Sequence, residues 1–194
     1  MLLLAVILIK VVRDAPAPAA PDMANAGSAA GREGGGPVSS GPGGLPAGPA
    51  PDISQMTPRE RFDRLFNRVM QAAERRDTAQ VERFTPMALG AYAQLDSVNA
   101  DARYHAAELR LQVGDMSGAL ALADTILARN PGHLFGYIVR GTAAGVQGDA
   151  AAARQADREF LSHYQAERAA NRIEYREHEP AIEGFKQQAE SATP

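Results

Sequence analysis

The Gly-Asp pair at Gly114-Asp115 returns 34 residues later at Gly148-Asp149, and the small residues around it return in the same register. Ala107 maps onto Gly141, Ala119 onto Ala153, and Val113-Gly114-Asp115 onto Gln147-Gly148-Asp149. Self-similarity at this period marks a helix-turn-helix unit that cannot bury its apolar face alone and therefore stacks on its neighbours. Stacks of this kind present extended surfaces suited to binding.

Local signals around the repeat agree. Thr57-Pro58-Arg59-Glu60 offers a capping threonine, a proline at the first helical position and a glutamate three residues after the cap. Phe62, Leu65, Phe66, Val69, Met70 and Ala73 follow at spacings that place them on one helical face. Arg61, Arg64, Arg68, Arg75 and Arg76 lie largely elsewhere on that helix, interleaved with Glu60, Asp63 and Glu74 as a solvated face. Asp77-Thr78 begins a second helix, and Thr85-Pro86 is expected to break or kink it before 87–95. Asn99 or Asp101 caps the first clear unit, Gly114 ends its first helix, and Leu120, Ala123, Ile126 and Leu127 stripe its second. The next unit covers 134–146 and 150–164, a further helical stretch follows over 166–175, and Pro180 permits a closing helix over 181–189 that packs back through Ile182 and Phe185.

The small residues at Ala106-Ala107 and Arg140-Gly141, the alanines at Ala119 and Ala153, the closing Asn130-Pro131 and the early aromatic Tyr137 are the marks of a known unit. Over residues 100–165 the chain resembles a tetratricopeptide repeat protein. It departs from that pattern at Arg103, where an aromatic is expected, at Arg110 and Ala144, where a tyrosine is expected, and at Gln165, where no proline closes the second unit. The resemblance implies an all-α fold of antiparallel helix-pair repeats. It also implies that Asp101, Tyr104, Glu108, Leu111 and Gln112, then Phe135, Ile138, Thr142, Gly145 and Val146, line the inner face. Within that set Tyr104, Glu108, Leu111, Phe135, Ile138, Thr142 and Val146 are the candidate partner-binding groove. Tyr104, Leu111, Phe135, Ile138 and Val146 would form an apolar strip for a partner helix or extended peptide, or else serve as core beneath neighbouring helices. The lysines and asparagines with which chaperone-binding members grip a terminal carboxylate have no counterpart in this groove.

Composition bounds the remainder. Of 194 residues, large apolar and charged ones are sparse over 15–52, so a Pro/Ala/Gly-rich linker is expected there, with a helical domain over 53–194. A flexible linker of that length spans roughly 30–37 Å. Cysteine is absent, which excludes disulfides, thiol catalysis and thiolate metal sites. A net charge of −3 offers no basic surplus for phosphates, so no nucleic-acid partner is expected. The apolar run over residues 1–12 is interrupted only by Lys10 and ends at Arg13. A twelve-residue helix reaches only about 18 Å, short of the roughly 30 Å hydrocarbon core. Three readings stay open for residues 1–14: an anchor that begins upstream, a signal-type leader, or an apolar tail that docks on a partner. The basic residues after the run favour a cytoplasmic domain, whereas the linker is equally common outside, so the side is open.

No catalytic constellation is expected. Ser54, Ser97, Ser117 and Ser162 have no suitably spaced His-Asp partners, and the glycines over 34–36 lead into Pro37 with no following helix and lysine. His105 and Glu108 share a helical face, and His163 lies near Glu167, but isolated pairs fall short of the three or four convergent ligands a metal needs. No metal or cofactor is therefore expected. The chain reads as a non-catalytic adaptor at a bacterial cytoplasmic membrane, attached through residues 1–12 and binding protein partners. A sharper version of this expectation is an accessory or assembly subunit of a larger membrane complex, of respiratory or photosynthetic type for example, although no residue selects the complex. The rival reading is an enzyme or a metal- or cofactor-binding helical domain.

Overall fold

The structure is a computed structural model that describes residues 56–192. The apolar segment and the linker expected over 1–14 and 15–52 lie outside the described residues. Among the described residues the fold is all-α, with eight helices and no strand: α1 (Pro58–Glu74), α2 (Thr78–Tyr92), α3 (Ala100–Gln112), α4 (Met116–Arg129), α5 (Leu134–Gln147), α6 (Ala150–Ala169), α7 (Ile173–Glu177) and α8 (Glu179–Ala192). None of these helices is long and apolar enough to cross a membrane.

One local device turns each of the first three helix pairs. Gly114 (φ 77°) and Gly148 (φ 73°) take the left-handed conformation that ends α3 and α5. The aspartate that follows caps the next helix: Asp115 accepts from the Gly118 N–H at 2.9 Å, and Asp149 from the Ala152 N–H at 2.9 Å. The recurring Gly-Asp is thus a stop followed by a start. Arg76-Asp77 does the same between α1 and α2, with Asp77 accepting from the Gln80 N–H at 3.1 Å, but here an arginine occupies the left-handed position (φ 58°). At the start of α1 the Thr57 hydroxyl accepts from the Glu60 N–H, and the Glu60 carboxylate accepts from the Thr57 N–H, forming a capping box.

The expected break at Thr85-Pro86 does not occur, since α2 runs through Pro86 without interruption. Val81 and Phe84 before the proline and Ala88 and Ala91 after it are all buried in one cluster, so packing keeps both halves helical. The Thr85 hydroxyl donates to the Val81 carbonyl at 2.7 Å. Pro86 itself faces solvent, where a carbonyl that loses its partner can bond water.

The buried side chains fall into two clusters, and α3 belongs to both. Ala102, Ala106 and Leu109 join Phe62, Val69, Val81 and Ala88 of α1 and α2. Tyr104, Ala107 and Leu111 join a second group centred on Ile126, Leu134, Phe135 and Phe160. Every residue from Asp101 to Leu109 is buried, as befits a central helix enclosed on all sides. Close approach of α4 and α5 depends on Gly136, because a Cβ there would lie 2.4 Å from Leu127 Cγ.

The C-terminal helices complete the second cluster. After the 20-residue α6, Asn171 (φ 48°) reverses the chain, and Ile182, Phe185 and Ala189 of α8 bury against the cluster. Phe185 reaches within 2.5 Å of where a Cβ on Gly141 would be, and Ala156 lies 3.5 Å from the same point. The resemblance implies that Ala119 and Ala153 pack against the small residues of the preceding helices, and for Ala153 the structure differs. Ala119 is fully buried, but Ala153 is only half-buried, and Phe185 together with Ala156 fills the space over Gly141. Tyr175 of α7 is a second anchor: its hydroxyl donates to Glu167 Oε2 at 2.7 Å and accepts from the Leu134 N–H at 2.9 Å. That bond satisfies a donor the first turn of α5 would otherwise leave unpaired.

Candidate functional site

The candidate groove residues converge between α3 and α5. Tyr104, Glu108, Leu111 and Gln112 of α3 face Ile138, Val139 and Thr142 of α5 across a cleft of about 20 Å³. Five of the seven candidates line it: Tyr104, Glu108, Leu111, Ile138 and Thr142. Phe135 is fully buried and stacks on Tyr104, with ring centres 4.2 Å apart, and Val146 is half-buried further along α5.

Of the two readings of the apolar strip, the structure bears out core for most of its members. Tyr104, Leu111, Phe135 and Ile138 are 0–4% exposed. The chain's own C-terminal segment supplies part of the cover: the His178 ring packs edge-on against Tyr104 and Phe135, with centres 5.2 and 5.1 Å apart, and Tyr175 packs edge-on against Phe135. Thr142 and Val146 retain part of their surface.

The polar members of the cleft are unusual. The Tyr104 hydroxyl is buried and has no hydrogen-bond partner. Burial pushes the Glu108 carboxyl up to about 7, so near neutral pH it lies poised between acid and carboxylate. A buried carboxyl of this kind is stabilised when a donor from outside reaches it.

Next to the cleft, at the N-terminal half of α3, lies a cluster that spacing along the sequence does not reveal. Asp101 and His105 project from successive turns of α3, and His178 arrives from the junction of α7 and α8. The His178 Nε2 is 2.9 Å from Asp101 Oδ1 and 3.1 Å from His105 Nε2, and His105 Nε2 is 3.6 Å from the same Asp101 oxygen. The Arg59 guanidinium donates to the other Asp101 oxygen and, through Nε, to Asp63 at 2.8 Å. Burial alone would raise the Asp101 carboxyl, but the His178 hydrogen bond, His105 and Arg59 outweigh it and hold the group well below the usual carboxylate range. Burial lowers His105 to about 4, against the pull of Asp101, so the imidazole is neutral at pH 7. Its ring stacks on Phe66, with centres 3.9 Å apart.

Along the sequence His105 and Glu108 read as a pair on one helical face. His178 lies 73 residues from His105 in the chain, and it sits at the end of a five-residue helix whose position depends on the Tyr175 anchor. The other pair, His163 and Glu167, are neighbours on α6, but each has found a structural partner. His163 stacks on Tyr137, and Glu167 accepts from Tyr175 and Arg172.

No protein-family model matches this chain, and no curated protein is significantly similar to it.

Proposed function

We propose that this chain is a non-catalytic helical adaptor of tetratricopeptide-like design, held at a membrane by its apolar N-terminal residues and engaging a protein partner at the α3–α5 cleft. One observation carries this reading: side chains from the first helices of two consecutive pairs, Tyr104, Glu108 and Leu111 with Ile138 and Thr142, meet on a single cleft. This is the face on which the resembled family binds its ligands. The cleft volume of about 20 Å³ has room for about one water molecule. Small-molecule pockets run to about 300–1,000 Å³, so the cleft suits the polar tip of one side chain of a docked segment better than a free substrate or cofactor. Glu108 and the unpartnered Tyr104 hydroxyl favour a segment that brings a donor, such as a lysine, an arginine or an amide.

The finer reading is an accessory or assembly subunit of a larger membrane complex, of which respiratory and photosynthetic assemblies are examples. The apolar residues 1–12 and the linker over 15–52 support it, since together they would hold the helical domain near a membrane-bound partner while allowing it reach. Photo-crosslinking in intact cells tests the binding face. A crosslinker at Thr142 or Val146 should repeatedly capture one membrane-complex subunit, and the same group at Arg158, exposed on α6, should not. Equal capture from both faces, or capture from Arg158 alone, would move binding away from the cleft.

A further inference from the structure

Asp101, His105 and His178 bring three metal-ligating atoms together, within 4.8 Å of one another. The triangle formed by Asp101 Oδ1, His105 Nε2 and His178 Nε2 has edges of 2.9, 3.1 and 3.6 Å. A tetrahedral ion bound at about 2.0–2.2 Å to nitrogen and oxygen holds its ligand atoms about 3.3 Å apart. The observed edges bracket that spacing. We propose that Asp101, His105 and His178 form a binding site for a divalent first-row transition ion of the zinc class, which ties α3 to the α7–α8 segment.

Hydrogen bonding alone accounts for the cluster poorly. Two imidazole Nε2 atoms 3.1 Å apart cannot both carry a proton toward each other, so at least one presents a lone pair. If His105 accepts at Nε2, its proton sits on Nδ1, and that atom is buried without a hydrogen-bond partner on a side chain only 11% exposed. An ion would use both Nε2 lone pairs and the Asp101 oxygen together. The His105 Nδ1–H would then point toward the Asp63 carboxylate, whose Oδ1 is 4.0 Å away, in the carboxylate-behind-histidine arrangement common at metal sites.

The surroundings fix the ligands in place. Arg59 holds the second oxygen of Asp101 and so leaves Oδ1 facing the imidazoles, while Phe66 stacks on His105 and Phe135 packs edge-on to His178. Two nitrogens and one oxygen form a donor set that suits zinc, cobalt, nickel or ferrous iron better than calcium or magnesium, which take oxygen. Three protein ligands leave a position for water or for a donor from a partner. His178 is the most exposed of the three, its side chain 16% accessible, and offers a path for entry. This inference is independent of the adaptor reading, because the site can be filled whether or not the cleft binds protein.

Titration of the full-length, chelator-treated protein with Co(II) and then Zn(II) tests the site. One equivalent of Co(II) should bind with the strong visible absorption of a low-coordinate cobalt centre. One equivalent of Zn(II) should abolish that absorption and raise the melting temperature. His105→Ala and His178→Ala should each weaken binding at least about tenfold and lose the absorption band, whereas His163→Ala should bind as the parent does. Asp101→Asn, which keeps the side-chain volume, and His178→Gln, which keeps a polar group at the surface end, serve if an alanine variant unfolds. Absence of a stoichiometric cobalt site in the parent, or binding by a folded His178 variant equal to that of the parent, would overturn the proposal.

Discussion

Arg76 is the residue at which the chain departs from its own rule. The turns at 114–115 and 148–149 place glycine in the left-handed conformation, but at 76–77 an exposed arginine holds φ 58°. An L-residue pays roughly 1–2 kcal/mol there; glycine avoids that strain but gives part of the gain back, because it loses more conformational freedom on folding. Arg76→Gly should therefore stabilise the domain by up to about 1 kcal/mol in denaturant unfolding, and a loss of stability would show that the arginine makes contacts that outweigh its strain. Glu108 makes a pH-dependent prediction for the metal-free protein. Its pKa is raised from 4.5 to about 7 in the folded chain, so between those values the folded state holds a proton that the unfolded state releases, and stability falls as pH rises. His105, lowered from 6.5 to about 4, acts with the opposite sign: stability falls as pH drops through that window. The two offset each other in the parent. Glu108→Gln removes the first, so relative to the parent it should gain about 2–3 kcal/mol between pH 4.5 and 7.5. A stability difference that does not change with pH would mean that the Glu108 carboxyl titrates in the folded chain as it does in the unfolded one.

At the scale of elements, the decisive contact is α8 on α5. Gly141 leaves space that Phe185 fills, so Gly141→Ala should overpack the interface by about 1–3 kcal/mol and Phe185→Ala should cost about 3–5 kcal/mol. The double variant should cost less than the sum, because the added methyl points into the cavity left by the phenyl ring. Strict additivity in thermal melts would place Phe185 elsewhere. Elements set by local chemistry were legible in the sequence: Thr57 capping α1 and the Gly-Asp turns depend on neighbours a few residues away, and the apolar spacing of Ile182 and Phe185 marked the face that α8 buries. Elements set by distant contacts were not. Ala153 fits the repeat register on paper, yet Phe185, from outside the repeat, takes the contact over Gly141. Pro86 signals a break, but the buried stripe from Val81 to Ala91 overrides it. The Asp101, His105 and His178 cluster needs an α7 whose placement rests on Tyr175, buried against His133 and Phe135 from an earlier helix pair.

For the whole molecule, a binding surface built on α3 must be separated from the core that α3 also provides. Phe135 and Ile138 are nearly inaccessible, so replacing both with serine should cost several kcal/mol and melt the domain early, whatever it binds. Attachment to the membrane is a separate matter. Removing residues 1–13 should release the protein from membranes while leaving its melting temperature unchanged, and a truncated form that still sediments with membranes at high salt would place attachment on the helical domain. The adaptor reading itself turns on the cleft. Thr142 and Val146 keep part of their surface, so Thr142→Arg with Val146→Arg can block the cleft mouth while leaving the core largely intact. The most direct measurement is recovery of the partner from gently solubilised membranes by this double variant and by the parent, beside their thermal melts. Recovery should fall about tenfold or more, the equivalent of about 1.4 kcal/mol of lost binding, with nearly unchanged melting; undiminished recovery by a folded variant would rule out binding at the cleft.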